Sequence, residues 1–114
     1  MAHEFSAEVR GQVLRRDLNR CVRCGRYLPE GAHLHHRKLR SQGGPGAVEN
    51  GITLCAGCHR WVHQFILAAR ASGLIVPSWA DPEASVLFTW RGPMLLTVDG
   101  GYTMHSEPYV PSEW

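Results

Sequence analysis

Apolar positions recur at helical spacing in two stretches of the chain and form short runs elsewhere. Val9, Val13 and Leu14 share one side of a predicted N-terminal helix, with Arg10, Arg15 and Arg16 set among them. Ser6 stands where an N-cap belongs, and Glu8 falls in the first turn, where a helix favours negative charge. Asn19 can end this helix in a left-handed conformation. A longer helix is predicted from about Ala56 to Ser72, with Trp61, Val62, Phe65, Ile66 and Ala69 as its apolar face and Gly73 as its stop. Residues 33–37 and 51–54 read as short strands, and "RSQGGPGAVEN" between them is too rich in glycine and proline for a helix. After the prolines of "IVPSWADPEAS", the stretch "VLFTWRGPMLLTVDGGYTM" predicts two or three strands joined at Gly-Pro and Asp-Gly-Gly turns.

A chain of 114 residues with 44% apolar and 19% charged positions is expected to be one compact domain. No apolar run approaches the ~20 residues of a membrane helix, and "MAHEFSAEVRG" lacks the basic start and apolar stretch of a secretory signal. The expectation is a soluble cytoplasmic protein without membrane partners. The net charge of +2 conceals an asymmetry. Residues 1–70 carry eleven Lys and Arg against five acids, whereas residues 71–114 carry one Arg against five acids. The basic excess falls where an electrostatic footprint for nucleic acid would matter, although a merely soluble surface gives the same count.

Cys21-x-x-Cys24 and Cys55-x-x-Cys58 are matched knuckles. Thiolates at i and i+3 around a turn reach one Zn²⁺, and two such turns complete a tetrahedron; Gly25 permits the tight turn. Two disulfides are the competing reading, which an intracellular chain disfavours. Simple zinc ribbons place ~15–20 residues between their pairs, whereas here residues 25–54 intervene. The inserted segment holds His35, His36 and Asn50. A four-thiolate site is closed, so chemistry needs a second site.

His35 and His36 are adjacent and point to opposite faces of a strand, while His59 and His63 share a face at i and i+4 of the longer helix. His3, His33 and His105 read as ordinary surface or satisfied core histidines. The order His-His, Asn, His-x-x-x-His, with the stretches "RDLNRCVRCG", "LHHRKLRSQGG", "ENGITLC" and "CHRWVH", resembles the HNH endonucleases, particularly the zinc-stabilised type found in bacteriophages. The likeness spans roughly residues 10–64. It implies a small zinc-stabilised ββα-metal (HNH, His-Me finger) core at about 10–72 and says little about residues 75–114. With the N-terminal helix and a short C-terminal β-rich extension at about 75–114, both read from the residue pattern, the expected fold is α+β.

The resemblance assigns His36 as general base, Asn50 as the middle Asn, and His35 and His59 as ligands of a catalytic divalent ion. His63 matches a third ligand of the colicin-type DNases. Two positions depart from the family pattern: His35 stands where Asp is frequent, and Gly51 where a branched apolar residue is usual.

The chemistry of these residue types agrees. Histidine can take a proton from water near neutral pH, and a divalent ion can act on a phosphate as a Lewis acid. Asn50 can brace the loop or orient His36, and Arg37, Lys38, Arg40 and Arg60 are placed to hold flanking phosphates. Oxygen ligands suit Mg²⁺ or Mn²⁺, imidazoles Ni²⁺ or Zn²⁺.

The expected activity is metal-dependent hydrolysis of DNA, one strand per active site, by a monomer or weak dimer. By resemblance, a phage DNA-packaging (terminase) enzyme is a candidate partner and the host cytoplasm the location. The alternative is a non-catalytic zinc module that binds DNA or docks on such a partner. It explains the cysteines and basic charge, but not the adjacent histidines and spaced Asn.

Overall fold

The computed structural model describes residues 3–105. Helix α1 spans Ala7–Arg16, and the Ser6 side chain accepts the Val9 N–H as its cap. The chain leaves α1 through two left-handed residues, Leu18 and Asn19, at φ 61° and 52°. Strands β1 (His33–His36) and β2 (Gly51–Leu54) pair antiparallel, with His35 opposite Ile52 and His36 opposite Gly51. Helix α2 (Ala56–Gln64) follows β2 after one residue and completes a β-β-α unit. The α+β architecture expected from the sequence is present.

An ion pair fastens α1 to this unit. The Arg16 guanidinium bonds both Asp17 carboxylate oxygens, at 2.8 and 3.0 Å, and donates to the carbonyls of Val48 and Gly51. Asp17 also accepts the Thr53 N–H. Both side chains are buried, so the hydrogen bonds that surround the pair are what make its burial tolerable.

The long helix expected over 56–72 is interrupted. Phe65, at φ −116° and ψ 67°, separates α2 from a short α3 (Ile66–Ala71). The apolar spacing runs straight through the break, which is why periodicity does not reveal it. The expected apolar face is divided accordingly: Val62 and Ala69 are buried, but Phe65 and Ile66 are 51% and 40% exposed. Gly73 does end α3, at φ 77°, and a Cβ there would lie 2.0 Å from the Val86 carbonyl. Only glycine allows that approach.

The C-terminal strands β3 (Leu87–Thr89), β4 (Gly92–Leu96) and β5 (Tyr102–Met104) form an antiparallel sheet with β4 in the middle. The first turn is Trp90-Arg91, not Gly-Pro; Thr89 pairs with Gly92 and its hydroxyl closes the turn by accepting the Arg91 N–H. Pro93 therefore lies within the central strand. Its β3 partner Phe88 sends its own N–H to Ser72, and the Pro93 carbonyl accepts the His105 N–H on the opposite side, where the ring leaves no reciprocal donor. The second turn contains Asp99-Gly100-Gly101, as expected.

One apolar cluster joins both regions, including Ile52, Leu54, Val62, Leu74, Leu87, Met94 and Leu96. Residues 106–114 of the expected β-rich extension lie outside the described range. No helix among the described residues is long and apolar enough to cross a membrane.

Candidate metal centres and active-site cleft

The first cysteine pair sits on a turn closed by the Gly25 N–H bonding the Cys21 carbonyl at 2.8 Å, with Gly25 at φ 80°. The second pair opens α2, where Cys55 is the N-cap and its sulfur accepts the Cys58 N–H. All four sulfurs lie within 4.8 Å of one another, and those of Cys24 and Cys55 are 3.9 Å apart. A zinc tetrahedron with ~2.3 Å bonds has sulfur–sulfur edges of about 3.8 Å, so the four cysteines fit a structural zinc ion.

Burial pushes the Cys58 thiol up to about 12, even though the Arg23 guanidinium approaches its sulfur at 3.5 Å. Cys55 is penalised by burial too, but hydrogen bonds from Cys58, Cys21 and Cys24 bring it down to about 7. Four thiolates brought this close, three of them on buried cysteines, need a cation among them, which is what zinc provides. Arg23 also lies over the Trp61 ring, 3.7 Å from its centroid, and shields the α2 side of the centre.

The second cluster is built of imidazoles. His35 extends from β1, and His59 and His63 extend from one face of α2; one nitrogen from each lies within 4.8 Å of the others. His35 is 3% exposed. Its Nε2 is 2.9 Å from the Leu74 carbonyl, which only accepts, so Nε2 carries the proton and Nδ1 keeps its lone pair for a metal. Burial, aided by His59, His63 and His36, lowers its pKa to about 3 against the opposing Leu74 carbonyl. Burial likewise lowers His59, with His63 and His33 adding to the effect. These neutral imidazoles suit a divalent cation.

His36 turns to the other side of β1. Its ring stacks on Phe5 with centroids 4.1 Å apart, and its Nε2 donates to the His3 carbonyl at 2.5 Å. Nδ1 is therefore its basic nitrogen. Burial lowers its pKa, with Arg40 and His3 in the same direction and the His3 carbonyl opposing. A cleft of about 500 Å³ brings the two sides together; its lining includes His35, His36, His59, His63 and Arg40.

Residues 21–65 match the family model described as HNH endonuclease. This segment is an HNH domain. It contains both cysteine pairs and every histidine of the cleft. No curated protein and no solved structure is significantly similar to the chain.

Within the HNH domain, the expected residues divide by what they touch. Asn50 is fully buried, and its side chain bonds the Lys38 N–H, the Lys38 carbonyl and the Pro45 carbonyl at 2.7–3.1 Å. It braces the loop between the strands and spends its polar atoms on backbone. Arg40 borders the cleft and bonds exposed Glu4 at 3.3 Å. Arg60 is exposed beside a neighbouring 320 Å³ hollow shared with His33, His59 and His63. Lys38 is half-buried at the start of the braced loop.

Arg37 does not belong with these cations. It is fully buried, and its guanidinium donates to the carbonyls of Gly73, Pro82 and Ser85 at 2.8–2.9 Å. The phosphate contact expected of it is ruled out by burial. Its donors instead fasten β1 to the chain that leads into the C-terminal sheet.

Sequence spacing also overlooks His33. Its Nδ1 lies 2.9 Å from Nδ1 of His59, an arrangement that holds the His59 ring with Nε2 toward His63, 3.3 Å away. The signal was present: His33 and His35 are i and i+2 on one strand face. No comparable signal marks His3 or Phe5, which reach His36 from about thirty residues away in sequence.

Proposed function

We propose that the protein is a metal-dependent endonuclease that hydrolyses DNA phosphodiester bonds, one strand at a time, with His36 as general base. The observation that supports this most is the pairing, across one cleft, of a three-imidazole cluster with a separate histidine whose Nδ1 is basic. His36 Nδ1 takes a proton from a water as its oxygen forms a bond to phosphorus. The bond from phosphorus to the 3′-oxygen breaks, and that oxygen leaves and gains a proton from solvent. A divalent ion held by His35, His59 and His63 would supply Lewis acidity toward the phosphate and the departing oxygen. Asn50 holds the loop that carries Arg40, and Arg40, Arg60 and Lys38 are assigned to flanking phosphates, giving affinity without base readout. Mg²⁺, Mn²⁺, Ni²⁺ and Zn²⁺ are the candidate ions, since cleft access suits the first two and imidazole ligands the others.

Plasmid cleavage with these four ions tests the reading. His35→Ala and His59→Ala should lose nicking activity and regain part of it at high metal concentration. Nicking that survives full chelation would contradict it.

A docking role is the second reading, favoured by exposed Phe65, Ile66 and Leu67 at the break between α2 and α3. The partner expected by resemblance is a phage DNA-packaging enzyme. Co-purification with such an enzyme, lost on Leu67→Asp, would support it; binding unchanged by Leu67→Asp would count against it.

A further inference from the structure

Residues 3–5, ahead of α1, lie against His36. The His3 carbonyl accepts the His36 Nε2–H at 2.5 Å, and Phe5 stacks on the same ring at 4.1 Å with planes 23° apart. This segment is tied down at several independent points. His3 Nδ1 donates to the Gly44 carbonyl at 3.0 Å, and Glu4 bonds Arg40. Two glycines receive it. A Cβ on Gly46 would lie 2.1 Å from the Glu4 carbonyl oxygen, and a Cβ on Gly51 would meet two Phe5 ring carbons at 3.0 Å. Gly51 is the residue paired with His36 across the sheet. The Phe5 ring thus occupies the space a side chain at 51 would need, beside the histidine it stacks on.

We propose that residues 3–5 act as a positioning strap for His36. The His3 carbonyl fixes the Nε2–H tautomer and Phe5 fixes the ring plane, so that Nδ1 is held as the basic nitrogen. The carbonyl is a pure acceptor and cannot pair with a deprotonated Nε2, so it selects one tautomer. Stacking removes rotation about the remaining side-chain torsion. Misorientation of a reacting group by about 1 Å can cost on the order of a hundredfold in rate. Phe5 is a positioning residue, since it acts through His36. The inference rests on His36 being the general base.

The test uses the full chain with its zinc in place. In the intact protein, ¹⁵N NMR of the His36 ring should show a single Nε2–H tautomer. Phe5→Leu keeps most of the apolar volume but not the stacking. It should lower kcat about ten- to a hundredfold, leave KM and the affinity for the catalytic cation unchanged, and mix the His36 tautomers; Phe5→Tyr should restore both rate and tautomer. Gly46→Ala, which displaces the Glu4 backbone without altering the strap's own side chains, should behave like Phe5→Leu. An Nδ1–H tautomer in the intact protein would overturn the proposal without any variant. So would a Phe5→Leu protein that melts earlier but cleaves normally while folded. If His36→Ala cleaves as well as the intact protein, the reading beneath the proposal is lost; if His36→Ala is inactive and Phe5→Leu is unimpaired, only the strap is lost.

Discussion

Arg37→Met removes a charge from the interior while nearly preserving side-chain length. The intact guanidinium serves three backbone carbonyls, those of Gly73, Pro82 and Ser85, and the residue is 0% exposed. A buried carbonyl left without a partner costs roughly 1–3 kcal/mol, and hydrogen bonds from a charged donor contribute about 1.5–3 kcal/mol each. Against this stands the desolvation of the guanidinium, which methionine avoids. The net loss should be about 3–5 kcal/mol, a large share of the ~5–15 kcal/mol that holds a domain folded. Urea unfolding followed by tryptophan fluorescence reads it as a lower midpoint at unchanged slope. The melting temperature should fall by about 12–20 °C. Arg37→Lys should fall between, because an ammonium cannot present the guanidinium fork to three separated acceptors. Arg40→Met is the exposed control and should change stability by less than about 0.5 kcal/mol. An Arg37→Met protein as stable as the intact one, but with DNA affinity reduced like Arg40→Met, would refute the buried assignment and restore Arg37 as a phosphate contact.

Cys24→Ser or Cys58→Ser should unfold the domain, because zinc binding is coupled to folding; a cooperatively folded, zinc-free Cys24→Ser protein would show that the knuckles are not a metal site. Arg40→Ala should weaken duplex DNA binding and lower the slope of log affinity against log salt by about one, with little dependence on sequence; a salt-insensitive affinity would favour protein docking. In protein stripped of divalent ions other than its zinc, His35 contributes a pH dependence of its own. Its folded pKa, depressed by burial to about 3, means that below ~6.5 the unfolded chain binds the extra proton and the folded chain does not. Stability should therefore fall with acidity, by about 1.4 kcal/mol from this residue between pH 7.5 and 5.5. His35→Gln should show a correspondingly flatter profile, and identical profiles would mean that His35 is not buried neutral.

Local spacing made the metal-ligand candidates legible. Cys-x-x-Cys on a turn and His59 with His63 at i and i+4 hold their geometry almost regardless of the rest of the chain. The two strands, the glycine-rich insert and the helix after them were read from equally local signals, and the family resemblance joined them into a β-β-α unit. What escaped was set by distant parts of the chain. Arg37 beside Lys38 and Arg40 looks like a third surface cation until residues 73, 82 and 85 close over it. The break at Phe65 leaves the apolar period intact, so nothing local distinguishes one helix from two. Gly51 reads as an interruption of the strand until Phe5 is seen to occupy the space beside it.

The central claim is that His36 activates the water. It is tested most directly by single-turnover plasmid cleavage with saturating divalent ion, comparing the intact protein with His36→Ala. The variant should fold, keep its zinc and bind DNA, yet cleave ~10²–10⁴-fold more slowly, equivalent to roughly 3–5 kcal/mol of barrier. Added metal should not restore it, in contrast to His59→Ala. Equal cleavage by His36→Ala and the intact protein would contradict the assignment and leave only the zinc-pinned fold standing.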